Sequence, residues 1–135
     1  YTSWFNIPKE SITKGVFLKD LSRKEILSIQ YSNRGVAWCD EGKFDKAIEN
    51  YTKAIELNPN CTGSYYNRGV ARYCKGDFDN AIKDYTKAIE LNPNDTDSYY
   101  GRGLAWCNKD EFDKANKDFS TAKRLNEYVH SCYLW

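Results

Sequence analysis

The sequence predicts an all-α fold built from stacked helix pairs, and three observations carry that reading. Tyr31 to Asn60 recurs as Tyr65 to Asn94 at an offset of 34 residues, with 21 of the 30 positions identical. Gly35 and Gly69, Ala47 and Ala81, and Pro59 and Pro93 keep the same spacing, and a looser third copy follows from Tyr99. Each copy also splits into two stretches of helical periodicity around a turn residue, Gly42, Gly76 or Asp110. A fixed period of this size marks a repeat architecture. In such an array each unit buries its apolar face on its neighbours, so one central core is not required.

Taken in order, residues 1–21 stand outside the repeat and read as a lead-in that covers the open end of the stack. The first helix begins near Ser22, where Ser22-Arg23-Lys24-Glu25 has the form of a capping box. It closes at Gly42, a residue at ease with positive φ. The second helix, from about Phe44 to Leu57, carries Ala47, Ile48, Tyr51, Ala54 and Ile55 as one stripe. Asn58-Pro59 stops it, because proline lacks the N–H and disfavours helix in its predecessor. The second unit repeats the plan, with Thr62 expected as a cap, a turn at Gly76, and a return helix from Phe78 to Leu91. The third starts at Thr96 and turns at Asp110, a short polar residue that tolerates the left-handed conformation at some cost. Its second helix is expected from Phe112 to Leu125. After Asn126 the proline is missing and that helix can run on, but Tyr133 stands 34 residues after Tyr99, so residues 128–135 are read as the start of a fourth unit, or else as a capping segment. The expected division is three tandem units over 22–127, at about 28–61, 62–95 and 96–129, between the lead-in and that tail.

Composition narrows the function by exclusion. Twenty basic residues against 19 acidic ones leave a formal net charge of +1. That balance gives no general pull toward nucleic acid or an anionic membrane. No apolar run approaches the length needed to span a bilayer. There is no Met, so residue 1 is read as other than a translation start and the chain as a processed or excised piece. The five cysteines are odd in number and lack C-x-x-C spacing, which leans toward a reducing, cytoplasmic setting. His130 is the only histidine. Cys39, Cys74 and Cys107 fall late in successive first helices and read as small buried residues, with a soft-metal ladder as the alternative. No nucleophile–base pair, phosphate-cradling glycine loop or metal motif is present, so neither catalysis nor a cofactor is expected.

A 34-residue, two-helix unit with this order of small and large residues resembles the tetratricopeptide repeat family. The landmarks fall on Tyr31, Gly35, Trp38, Ala47, Tyr51, Ala54 and Pro59, then on Tyr65, Gly69, Ala81, Tyr85, Ala88 and Pro93. The third set is Tyr99, Gly103, Ala115, Phe119 and Ala122, without the proline. The resemblance implies a right-handed superhelix whose first helices line a concave inner surface. Where the family usually has leucine before the first glycine, this chain has Arg34, Arg68 and Arg102. An arginine in a semi-buried place needs an anion, and Asp84 and Asp118 are the expected partners of Arg68 and Arg102, with Asn50 facing Arg34.

Projecting the family's inner surface onto the chain gives a candidate groove. It comprises Ile29, Ser32, Asn33 and Val36 from unit one, Tyr66, Asn67, Val70 and Tyr73 from unit two, and Tyr100, Leu104 and Asn108 from unit three. Cys39, Asp40, Gly63, Cys74, Asp97, Gly101 and Cys107 complete that face. The amides can hold a peptide backbone through a donor and an acceptor each. Tyrosine rings pack on side chains while keeping a polar tip. A subset of the family grips the C-terminal carboxylate of heat-shock chaperones with lysines, an arginine and asparagines. Here Asn67 (or Asn33, in the other register) matches, but the cationic places hold Ser32, Asp97 and Gly101. The resemblance therefore implies a scaffold or adaptor that binds a protein segment, extended or helical, and not one tuned to chaperone tails. Two alternatives remain open from sequence: self-assembly through exposed repeat ends, or a regulatory repeat domain of a larger enzyme.

Overall fold

The computed structural model describes residues 22–133, with side chains for 22–127. The lead-in and the rings of the aromatic tail lie outside the described residues. Six helices follow one another: α1 (Arg23–Asp40), α2 (Phe44–Leu57), α3 (Thr62–Cys74), α4 (Phe78–Leu91), α5 (Thr96–Asn108) and α6 (Phe112–Tyr133). No strand interrupts them among the described residues, and the fold is an all-α helical repeat.

Local chemistry sets most of the ends. The Ser22 hydroxyl accepts from the Glu25 N–H at 3.2 Å, and the Glu25 carboxylate accepts from the Ser22 N–H at 3.0 Å. That reciprocal pair satisfies two donors that the first turn would leave orphaned. Between the two helices of each unit the chain passes through left-handed backbone at Gly42 (φ 76°), Gly76 (φ 83°) and Asp110 (φ 62°). Asp110 thus takes the glycine's place in the turn itself. Between units, Asn58 and Asn92 fold their side-chain oxygens back onto the N–H groups of Asn60 and Asn94, at 3.3 and 3.2 Å, across the intervening prolines.

Two expectations need correction or completion. Thr62 is the first residue of α3, not its cap; Cys61 occupies the cap position and makes no side-chain capping bond. Position 61 has extended backbone geometry (ψ 93°), and the helix is entered straight from the Asn58-Pro59 turn. In addition, α6 does not stop at Leu125 but continues unbroken through Tyr133. Without a proline after Asn126 nothing removes a helical N–H there, so α6 runs on through the residues read as a capping segment or the start of a fourth unit.

Each helix packs on the next, and the first helices of successive units (α1 on α3, α3 on α5) also touch. The second helices make no such mutual contacts among the described residues. This asymmetry places α1, α3 and α5 side by side along one face. The core runs through the stack as small residues facing rings. Ala47, Ala81 and Ala115 are essentially fully buried, as are Tyr51 and Tyr85. A Cβ added at Gly35 would stand 2.5 Å from the Tyr51 ring, and one at Gly103 would stand 2.6 Å from the Phe119 ring. Burial pushes the phenols of Tyr51 and Tyr85 well above the usual tyrosine range.

Gly35 and Gly63 make a matched test of this packing. Gly35→Ala is expected to cost about 2 kcal/mol, because Tyr51 is enclosed and cannot yield. Gly63 has nothing within 4 Å of an added Cβ, so Gly63→Ala should leave stability unchanged or raise it by about 0.5–1 kcal/mol through helix propensity. Urea unfolding followed by circular dichroism measures both.

Candidate functional site

The candidate site is a surface along α1, α3 and α5, and arginines on the opposite faces of α3 and α5 tie those helices to the second helices. Arg68 donates from Nε and Nη2 to the two Asp84 oxygens at 3.0 and 2.8 Å. Its Nη1 reaches the Thr52 hydroxyl of the preceding unit at 3.2 Å. Arg102 repeats the pattern one unit on, with Asp118 at 2.8 and 2.7 Å and Thr86 at 3.2 Å. Both aspartates are buried, and each receives the two-pronged fork that only arginine can present. Each guanidinium therefore joins α3 or α5 to the second helix of its own unit and to that of the unit before. Asp84 receives a further bond from Arg72 Nη1 at 2.8 Å. The hydrogen bonding of Asp118 to Arg102 in turn strengthens the arginine's hold on its proton.

Unit one departs from this scheme. Asn50 does not face Arg34; its amide donates to the Lys46 carbonyl at 2.8 Å. Arg34 is exposed, with its guanidinium 5.5 Å from the centre of the Tyr31 ring. An amide carries no charge to draw the guanidinium inward, and the arginine stays in water.

On the shared face, Ile29, Val36 and Tyr100 expose 48, 42 and 56% of their surface. Asn33 and Asn108 are also exposed, while Ser32, Tyr66, Asn67, Val70, Tyr73 and Leu104 are half-buried. Several of these residues brace one another. The Ser32 and Ser64 hydroxyls lie 2.6 Å apart between α1 and α3. Asn108 donates to the Tyr73 hydroxyl at 2.9 Å between α5 and α3, and to its own helix at the Leu104 carbonyl. The Tyr66 ring packs 5.8 Å from Tyr85, and the Tyr100 ring 5.5 Å from Phe119. Tyr73 stands edge-on to Phe78 at 5.4 Å.

The charge on this face is acidic. The Tyr66 phenol is pushed up by burial and then by the carboxylates of Asp97 and Asp95. The Cys39 thiol is likewise raised, chiefly by burial, with Asp40 adding to the effect. Its sulfur accepts weakly from the Tyr51 hydroxyl at 3.8 Å, as a small packed residue would. Among the described residues, no group of three cysteine, histidine or carboxylate side chains is gathered where a metal could sit.

Sequence reasoning missed the contacts that cross from unit to unit. Lys75 pairs with Asp45, and Lys109 with Asp79, each joining a first helix's end to the previous second helix. Thr52 and Thr86, which receive the arginines, make further links of this kind. The signal was the period itself: each of these residues has its counterpart at 34 residues' distance.

The sequence profile described as Tetratricopeptide repeat matches residues 28–61 and 64–95. Solved structures agree. The second repeat domain of Spaghetti (RPAP3), bound to the HSP90 peptide SRMEEVD, is 29% identical; the match covers 76% of this chain and 95% of that one, with a TM-score of 0.74. The second repeat domain of human RPAP3, in complex with the HSP70 peptide SGPTIEEVD, is 29% identical over 76% of this chain and 85% of that one, at a TM-score of 0.73. The crystal structure of MamA is 30% identical over 90% of this chain and 68% of its own, at a TM-score of 0.76. A search of the curated proteins finds no match.

The two arginine forks differ in one testable respect. Arg102→Met leaves buried Asp118 with no cation within ion-pair distance among the described residues, whereas Arg68→Met leaves Asp84 with Arg72. Denaturant unfolding should show a loss of about 3 kcal/mol or more for Arg102→Met and a clearly smaller loss for Arg68→Met. Equal losses would mean that Arg72 does not compensate.

Proposed function

Because the chain belongs to the tetratricopeptide repeat family, we propose that it is a protein-interaction scaffold, and not itself an enzyme. Its partner would be a peptide segment, extended or helical, laid along α1, α3 and α5. The observation that carries this reading is the exposed row of apolar, aromatic and amide side chains on one face: Ile29, Asn33, Val36, Tyr100 and Asn108. A packed core would not leave them open, and an interface of this kind takes affinity from rings and specificity from amides.

The ligand differs from that of the relatives. Their bound peptides end in EEVD, a sequence that carries two glutamates, an aspartate and a terminal carboxylate. Here the corresponding face holds Ser32, Asp97 and Gly101 where cations would be needed, and Asp40 and Asp97 give it an acidic character. The fitting partner is a neutral or basic segment with at least one apolar side chain to rest on Tyr100 and Val36.

Self-assembly is the weaker reading on electrostatic grounds. Lys75 and Lys109 each meet an aspartate of the preceding unit, and the equivalent residues at the two ends of the array are Glu41 and Asp113. A second copy stacked head to tail would bring those two carboxylates together. Like charges at that point oppose the register that the internal junctions use.

Peptide display against the chain supplies the probe. Selected sequences should lack an acidic C-terminus and bind more tightly than SRMEEVD. Tyr100→Ala should weaken a selected peptide about tenfold or more, the worth of one buried ring, with helicity unchanged. Preference for SRMEEVD, or indifference to Tyr100→Ala, would overturn the proposal. Light scattering should give a monomer mass that does not rise with concentration.

A further inference from the structure

The third unit carries a cleft that the peptide-binding face does not use. It lies between α5 and α6, on the side of α5 opposite Tyr100, Leu104 and Asn108, and is an open cleft of about 510 Å³. Tyr99 and Trp106 form its apolar wall, and Arg102, Lys114, Lys117 and Arg124 surround it. Its one carboxylate, Asp118, is already held by Arg102. Among the described residues, no carboxylate stands within ion-pair distance of Lys114, Lys117 or Arg124. Lys114 Nζ stands 4.5 Å over the Trp106 ring, which holds one of these charges at the cleft wall.

The other two units show that this is not a general property of the repeat. The position of Lys117 is Glu49 in unit one, and the position of Arg124 is Glu56 there and Glu90 in unit two. Glu49 neutralises Lys53, and Glu90 neutralises Lys87. In unit two an arginine, Arg72, replaces the tryptophan and is spent on Asp84. Unit one also sets a lysine, Lys46, 4.5 Å over its tryptophan, but only the third unit has cations at the positions of Lys114, Lys117 and Arg124 together. Holding like charges close together around a partly apolar cleft is unfavourable without a counter-anion.

We propose that this cleft is a second binding site, for a peptide segment carrying a phosphomonoester. A single carboxylate would offset one of the three unengaged cations. A phosphomonoester brings a charge of about −1.5 to −2 and three acceptor oxygens, suited to several donors at once. The Tyr99 and Trp106 rings supply the adjoining surface on which the peptide's own side chains rest. The size is that of a small-ligand pocket, enough for one phosphorylated side chain and its neighbours. The site is independent of the groove, so the scaffold would hold two segments on opposite faces.

The test uses the full chain with a neutral-flanked phosphopeptide, its unphosphorylated form, and inorganic phosphate, read by fluorescence anisotropy, by competition and by amide chemical shifts. The phosphopeptide should bind at least tenfold more tightly than either control, and more weakly as salt is raised. Shifts should centre on Tyr99, Trp106, Lys117 and Arg124. Lys117→Glu with Arg124→Glu, which restores the residue types of unit one, should abolish binding without loss of helicity; Lys117→Gln with Arg124→Gln should weaken it. No preference for the phosphorylated form, inorganic phosphate competing as well as the peptide, undiminished binding to the charge-reversed chain, or shifts confined to the groove would each overturn the assignment.

Discussion

The structure depends on rings seated on bare backbone. Tyr51 rests against Gly35, Tyr85 against Gly69, and Phe119 against Gly103, at distances that leave no room for a Cβ. Tyr85 does more, because it also meets Gly101 of the following unit, where an added Cβ would stand 2.8 Å from the ring. One side chain thus sets the separation of the two helices within a unit and the approach of the next unit. Close-packed interiors tolerate little change at such points. Alanine at the three second-helix positions completes the arrangement by letting the helices approach closely.

Over that apolar seam lies a polar one. The Arg68 and Arg102 forks bind a buried aspartate in their own unit and a threonine in the unit before. Lys75 and Lys109 tie adjacent units again at the turn end. The buried forks carry fixed hydrogen-bond geometry, so they specify register as well as contributing energy. The exposed lysine pairs contribute less, since water and salt screen them. Together they hold α3 and α5 against the second helices, while the Ser32–Ser64 contact joins α1 to α3, so the three first helices lie in one row.

The architecture was legible because the period is visible without any structure. Gly42, Gly76 and Asp110 are turn residues by backbone chemistry alone, and Arg68 with Asp84 follows from the cost of an unpaired buried charge. Arg34 shows the limit. The same reasoning offered it Asn50, but a neutral amide has a nearer partner in the Lys46 carbonyl, and the arginine stays in solvent. Thr62 was misplaced by one residue because a polar side chain was expected at the cap, whereas the cap position falls on Cys61 with no side-chain capping bond. The length of α6 turned on a missing proline whose effect could run either way. For the site, residue types on one helical face were readable, but the mutual bracing of Ser32 with Ser64 and of Asn108 with Tyr73 required the helices' separation. The charge reversal in the third unit was present in the letters, yet became a cleft only once α5 and α6 were side by side.

We propose that the row of first helices is the binding face for a neutral or basic segment. An amide chemical-shift map of the chain titrated with a display-selected peptide tests it most directly. The account predicts that the largest changes fall on α1, α3 and α5, at Asn33, Val36, Asn67, Tyr100 and Asn108, with α2 and α4 nearly silent. Changes concentrated on the second helices, or at the end of the stack beyond Phe119, would contradict it.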